Sequence, residues 1–211
     1  MSSVRPPVPG VRERRHAGDA RLRDALRRFP RKQFCAASPE HESELQAPPE
    51  ERTVVTMLEA LELNGTERVL EIGSTTAYTA ALLSQLSAEV YSVVAEQDAA
   101  ERRGRHLHAL GCRNAHVVLG APHTGWPSAA PYQAILVGAS AAQVPLELID
   151  QLELGGCLVI PIGDEQAQLL ERVYKRRGAL SSETLGACHV AMLADGPRER
   201  SLVPWVHQPR G

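Results

Sequence analysis

From Arg68 onward the chain keeps one rhythm: a short apolar run, then an amphipathic stretch of about ten residues, then the next apolar run. RVLEIG is followed by TTAYTAALLSQL, EVYSVVA by DAAERRGRHLHAL, and YQAILVGAS by VPLELIDQL and then GGCLVIPIG. AHVVLG leads instead into a loop, APHTGWPSAAP. Runs this short and this apolar read as buried strands, and the stretches between them carry Leu and Ala at helical spacing. Parallel strands joined by helices take one hand of crossover. The pattern therefore predicts a doubly wound α/β domain whose mostly parallel sheet is covered on both faces. LLERVYKRR and LSSETLGACHVAML predict antiparallel strands at the C-terminal edge.

Upstream, Asp19 is placed to cap a helix over ARLRDALRRF, with Leu22, Ala25, Leu26 and Phe29 on one face and Pro30 ending it. A second helix over Glu51–Leu63 buries Val54, Val55, Leu58 and Leu61. The reading is a flexible Arg/Pro-rich arm over 1–18, a helical segment over 19–63, and the sheet domain over 64–211, the last two forming one globular unit. Charge is uneven although the net is only −2. Arg12, Arg14, Arg15, Arg21, Arg27 and Arg28 open the chain and a Glu-rich stretch follows. A solvated arm beside a solvated helix face is the simpler reading, with nucleic acid the least favoured partner.

No apolar run approaches a membrane span, and MSSVRPPVPG has no apolar leader core, so a cytoplasmic protein without a membrane partner is expected. Cys35, Cys112, Cys157 and Cys188 are far apart and fit neither a zinc site nor a disulfide framework. Cys157 reads as a small buried hydrophobe. His106 and His108, two apart on a helix, cannot share a metal and are expected to face solvent. No metal site is expected.

The first crossover is the natural ligand position, because free N–H groups at a helix start attract anionic or polar atoms. In VLEIGSTTAY, Gly73 can make the tight turn, but β-branched Thr75 stands where a second glycine would let a ligand approach the backbone. The strand EVYSVVA ends without an acid for a ribose. Glu96, just beyond, is either a displaced ribose partner or a first-turn acid of the next helix, the second being the simpler. His123 reads as a polar loop residue near the pocket mouth and Trp126 as a packing anchor.

VLEIG, EVYSV, ALGCRNAHVVLG, GWP, APYQAILV and QLELGGCLVIPIG together resemble the protein-L-isoaspartate O-methyltransferase family. The likeness runs from about Asp19 to Leu193 and includes RRFPRKQF and LLERVYKRRG. It implies a Rossmann-like fold, S-adenosylmethionine as methyl donor, an isoaspartyl protein or peptide carboxylate as substrate, and no metal. The donor-side residues it implies are Glu71, Gly73, Ser74, Thr75, Glu96 and Gly120.

This chain departs from the family's pattern at several points. A glycine-rich EIGTGSGY turn is here Glu71-Ile72-Gly73-Ser74-Thr75-Thr76-Ala77-Tyr78. Val94 stands at the ribose-binding acid, Gly120-Ala121-Pro122 at a G-D-G, and Pro131-Tyr132-Gln133 at a P-Y-D. In the T-I-S-Q-P substrate loop, Pro49 takes the place of the hydroxyl residue, leaving no catalytic side chain assigned. Each lost charge-assisted hydrogen bond costs roughly 1.5–3 kcal/mol. The expectation is a preserved scaffold with a degenerate donor pocket, acting by binding a protein partner. The alternatives are an active carboxyl methyltransferase with a rebuilt site and a nucleic-acid-associated protein using the Arg-rich start.

Overall fold

The computed structural model describes residues 11–35 and 50–193. Helix α1 spans Val11–Arg28, α2 Lys32–Cys35 and α3 Glu51–Ala60. Strand β1 (Arg68–Ile72) follows, then α4 (Tyr78–Leu86), β2 (Glu89–Val94), α5 (Gln97–Ala109) and β3 (Ala115–Leu119). After a loop with two 3-10 turns come β4 (Tyr132–Val137), α6 (Leu146–Gln151) and β5 (Leu152–Gly163). The chain then adds β6 (Gln168–Arg176) and β7 (Ala179–Cys188).

Among the described residues these strands form one seven-stranded sheet in the order β3-β2-β1-β4-β5-β6-β7. β1 to β5 are parallel, and β6 and β7 are antiparallel additions at one edge. The doubly wound, mostly parallel Rossmann-like sheet is the one the rhythm of apolar runs predicts.

Alternation along the strands divides the core between the two faces. Val69, Val90, Leu136 and Val159 face α4, and with Leu22, Phe29, Phe34, Met57, Leu58, Leu83 and Leu107 they build the core beneath α1, α2, α3, α4 and α5. Leu70, Ile72, Ile135, Val137, Leu158 and Ile160 face the other way, against Leu148 and Ile149 of α6 and the ring of Tyr132. Glu71, between Leu70 and Ile72, therefore points toward the α4 side, where a charge needs a partner.

Two boundaries differ from the sequence reading. α1 begins at Val11, so its first turns lie within the stretch expected as a flexible arm. Arginine and alanine are good helix formers, so the run from Arg12 to Ala20 carries the helix straight through Asp19. α3 ends at Ala60 instead of Leu63, and its buried face includes Met57. The N-terminal segment is tied down by arginines. Arg21 donates to the carbonyls of Leu63 (2.5 Å) and Leu86 (3.4 Å), capping the end of α4, and Arg28 donates to Gln85 at 3.1 Å. Arg172, buried on β6, pairs with Glu62 just past α3 at 3.0 Å. His106 does not simply face solvent: it lies against Phe34, ring centroids 5.1 Å apart, while His108 is exposed.

Burial pushes the Cys157 thiol up to about 11 and keeps it protonated, in line with its reading as a small hydrophobe. Among the described residues no helix is long and apolar enough to cross a membrane.

Candidate functional site

The carboxyl ends of β1, β2, β3 and β4 come level along one rim of the sheet: Ile72 pairs with Val93 and Val137, and Val94 with Leu119. Strand order reverses between β1 and β4, where an open α/β sheet leaves a crevice for a ligand. The turn from β1 into α4 lies at that point. Gly73 holds φ +76, a left-handed conformation that favours glycine. A β-carbon there would lie 2.8 Å from Ala139 Cβ and 3.2 Å from Leu193 Cδ1. The residue therefore serves both backbone geometry and close packing. Gly73 to Thr76 are half-buried, and α4 begins with Ala77 at its N-cap and no side-chain cap bond. Thr76 Oγ1 accepts from the Tyr78 N–H at 3.3 Å, and the next first-turn N–H groups of α4 are left facing the crevice.

Beneath the turn is a buried polar network. Ser92 Oγ donates to Glu71 Oε2 at 2.5 Å, and Arg103 Nη1 donates to Ser92 Oγ at 2.9 Å. The same guanidinium donates through Nη2 to the carbonyl of Ser74 and lies 3.7 Å from Glu71 Oε2. Glu71 is fully buried and the Arg103 side chain is 7% exposed. Desolvation pulls the Arg103 pKa below its ordinary value, and the Glu71 carboxylate opposes that fall. Glu71 Oε2 is thus engaged by the Ser92 hydroxyl and the nearby guanidinium, not by N–H groups of the turn. Glu71 Oε1 and Thr75 Oγ1 are buried with no hydrogen-bond partner among the described residues. Orphaned polar atoms on either side of a ligand turn are the groups a polar ligand would satisfy.

Four of the residues expected around the donor, Glu71, Gly73, Ser74 and Thr75, meet at this turn. Gly120 lies on the same rim past β3, its N–H donating to the Val94 carbonyl at 3.0 Å. Glu96 is exposed at the N-cap of α5, with extended backbone and no side-chain cap bond. Its carboxylate is therefore not engaged by the helix it precedes. Val94 is buried. Trp126 packs against the core as expected, while its backbone N–H donates to Gln151 Oε1 and its carbonyl accepts from the Tyr132 hydroxyl. His123 is half-buried in the 3-10 turn Pro122–Thr124. Pro49 lies outside the described residues.

Gln133, one of the departures from the family pattern, is not on this rim. It sits at the start of β4, where it accepts from the Arg68 N–H at 2.7 Å and donates to Glu153. That change bears on the amino end of the sheet, away from the crevice.

Past β7 the chain crosses back toward the crevice. Gln168, buried on β6, donates to the Val190 carbonyl at 3.0 Å and accepts from the Val190 N–H at 2.8 Å. Ser140 then donates to the Ala191 carbonyl (2.8 Å) and accepts from the Leu193 N–H (2.7 Å). This strap sets Leu193 against the Gly73 turn. Sequence reasoning singled out none of Ser92, Arg103 and Gln168.

The family model described as "Protein-L-isoaspartate(D-aspartate) O-methyltransferase (PCMT)" matches residues 9–197. The chain is 38% identical over 185 residues to protein-L-isoaspartate O-methyltransferase 2 of Geotalea uraniireducens, covering 83% of this chain and 85% of that one. It is 38% identical over 189 residues to the protein-L-isoaspartate O-methyltransferase of Methanoculleus marisnigri, covering 85% and 86%. Among solved structures, a protein-L-isoaspartate O-methyltransferase superposes with a TM-score of 0.72 at 22% identity, over 88% of this chain and 66% of the other. A Plasmodium falciparum protein described as a beta-aspartate methyltransferase, in complex with S-adenosyl-L-homocysteine, gives 0.63 at 18% identity, over 87% and 95%. At these identities the structural likenesses speak to the fold.

Proposed function

Since the chain belongs to the protein-L-isoaspartate(D-aspartate) O-methyltransferase family, we propose that it is an active S-adenosylmethionine-dependent methyltransferase acting on protein or peptide carboxylates of the isoaspartyl kind. The observation that carries this reading is the turn at the switch point. Gly73 keeps its left-handed φ, and Glu71 Oε1 and Thr75 Oγ1 present unsatisfied polar atoms beside it. The expectation of a donor-free scaffold rested on departures from the family pattern, and Gln133 lies at the far end of the sheet. The remaining departures are read as a rebuilt pocket.

In this reading Gly73, Ser74 and Thr75 hold the donor at the turn, with Glu71 beneath. Glu96 reaches the ribose side in place of an acid at Val94, and the backbone at Gly120 flanks the adenine side. When bound, the donor supplies a methyl group activated on a sulfonium. The chain's own task is mainly to orient. A substrate carboxylate is already ionised at neutral pH, so no side chain has to take a proton from it. Pro49 in the hydroxyl position therefore removes no general base, and rate comes from alignment. The free thiols of Cys112, Cys157 and Cys188 suit a reducing compartment and favour a cytoplasmic place.

Calorimetry with S-adenosylmethionine and S-adenosylhomocysteine, followed by labelled donor with an isoaspartyl peptide, tests the reading. Binding together with base-labile methyl ester above blank is the expected result. No binding of either ligand would sink it and return the chain to the scaffold reading, which the buried apolar Val94 favours. A gain-of-function variant sharpens the test. Val94→Glu, which restores a ribose acid, is expected to tighten S-adenosylhomocysteine roughly tenfold to hundredfold, the worth of one charge-assisted hydrogen bond. An unchanged Kd would show that Val94 does not face the ribose.

A further inference from the structure

Arg103 and Leu107 are the buried residues of α5, four positions apart on one stripe of an otherwise charged helix. A long cation on the inward stripe is costly unless its donors find acceptors. Those of Arg103 do, and the acceptors belong to different elements: the Ser74 carbonyl in the turn, Ser92 Oγ on β2, and nearby Glu71 Oε2 on β1. One planar guanidinium thus ties α5 to the turn and to two strand ends. Lysine, with a single tetrahedral head, has no equivalent fork. The turn so held contains Thr75 and Ala77 and only one glycine, Gly73.

We propose that Arg103 is a positioning residue, a side-chain brace that fixes the donor turn by its Ser74 carbonyl. The proposal rests on the methyltransferase reading for its link to donor binding, but not for the brace itself. With the brace gone, the turn samples other shapes, the first-turn N–H groups of α4 lose their alignment, and the donor binds less tightly. Recognition of the peptide carboxylate does not pass through Arg103 and is unaffected.

The test uses the full chain with Arg103→Met and Arg103→Lys. Amide hydrogen exchange is read at residues 73–77 and, as an internal control, in β4 and β5. Arg103→Met is expected to speed exchange at the turn while leaving β4 and β5 protected. It is also expected to raise the donor KM about tenfold or more, with kcat at saturating donor and the peptide KM within about twofold of wild type. Arg103→Lys keeps a cation opposite Glu71, so the fold is retained even if the Met variant fails to fold, and it should fall between the two. Turn exchange and S-adenosylhomocysteine Kd in Arg103→Lys equal to wild type would overturn the brace. So would faster exchange spread evenly through β4 and β5, which would make Arg103 a general stability residue. If wild type binds no donor yet turn exchange rises selectively in Arg103→Met, the brace stands and the methyltransferase reading fails.

Discussion

Gly73→Val is expected to abolish measurable donor binding and to cost about 2–5 kcal/mol of stability. Two effects add. A β-branched residue at φ +76 is strained by about 1–2 kcal/mol. Its β-carbon would also stand 2.8 Å from Ala139 Cβ and 3.1 Å from the Ala139 nitrogen, and overpacking of that kind costs about 1–3 kcal/mol. The backbone of Ala139 cannot swing aside as a flexible side-chain end would, so the turn itself must move. A moved turn loses several donor contacts at once, and affinity should fall at least about a hundredfold. Gly178 supplies the control: it has the same φ of +76 but nothing within 4 Å of a β-carbon. Gly178→Val should show the conformational cost alone and leave donor binding untouched. Urea denaturation with calorimetry on both variants separates the two terms. Equal losses at the two glycines would mean that crowding against Ala139 plays no part.

The second large effect is expected at Glu71. Glu71→Leu leaves the Arg103 guanidinium buried without its carboxylate, and breaking a buried pair from one side costs about 3–5 kcal/mol. The double variant Glu71→Leu, Arg103→Met replaces the pair by apolar groups and should regain most of that loss. A double-mutant cycle by urea denaturation then gives a coupling of at least about 1 kcal/mol. A Glu71→Leu loss below about 1 kcal/mol would mean that water reaches the pair. Stability and function should part in the double variant: the fold recovers, while the turn stays unbraced and donor binding stays weak.

Much of the fold is legible because strand and helix signals here are local. The apolar runs mark each parallel strand, and Gly73 marks the turn at the switch point. What escaped is chemistry that depends on where one long side chain points. In DAAERRGRHLHAL the arginines look alike, and the helix reads as a charged surface. Yet Ala99, Ala100, Arg103 and Leu107 share a stripe, so an arginine set among small and apolar residues was the available signal. Ser92 gave a fainter one, a hydroxyl beside Glu71 in a strand otherwise apolar on that face. Gln133 misled in the opposite direction. A departure from the family motif suggested a pocket change, but its place at the start of β4 puts it at the far end of the sheet.

The strap that sets Leu193 against Gly73 also fixes when the site can come together. The turn leaves the ribosome well before its neighbour Leu193, which is held through Ser140 and, by way of Val190, Gln168. Contacts so distant in sequence close late, after the intervening sheet has paired. A nascent chain that has released β1 to β5 can carry a nearly complete sheet and still lack one wall of its crevice. Competence at this rim is therefore gained only once the segment through Leu193 has been made, and a chain cut short before Ala191 would lose it first.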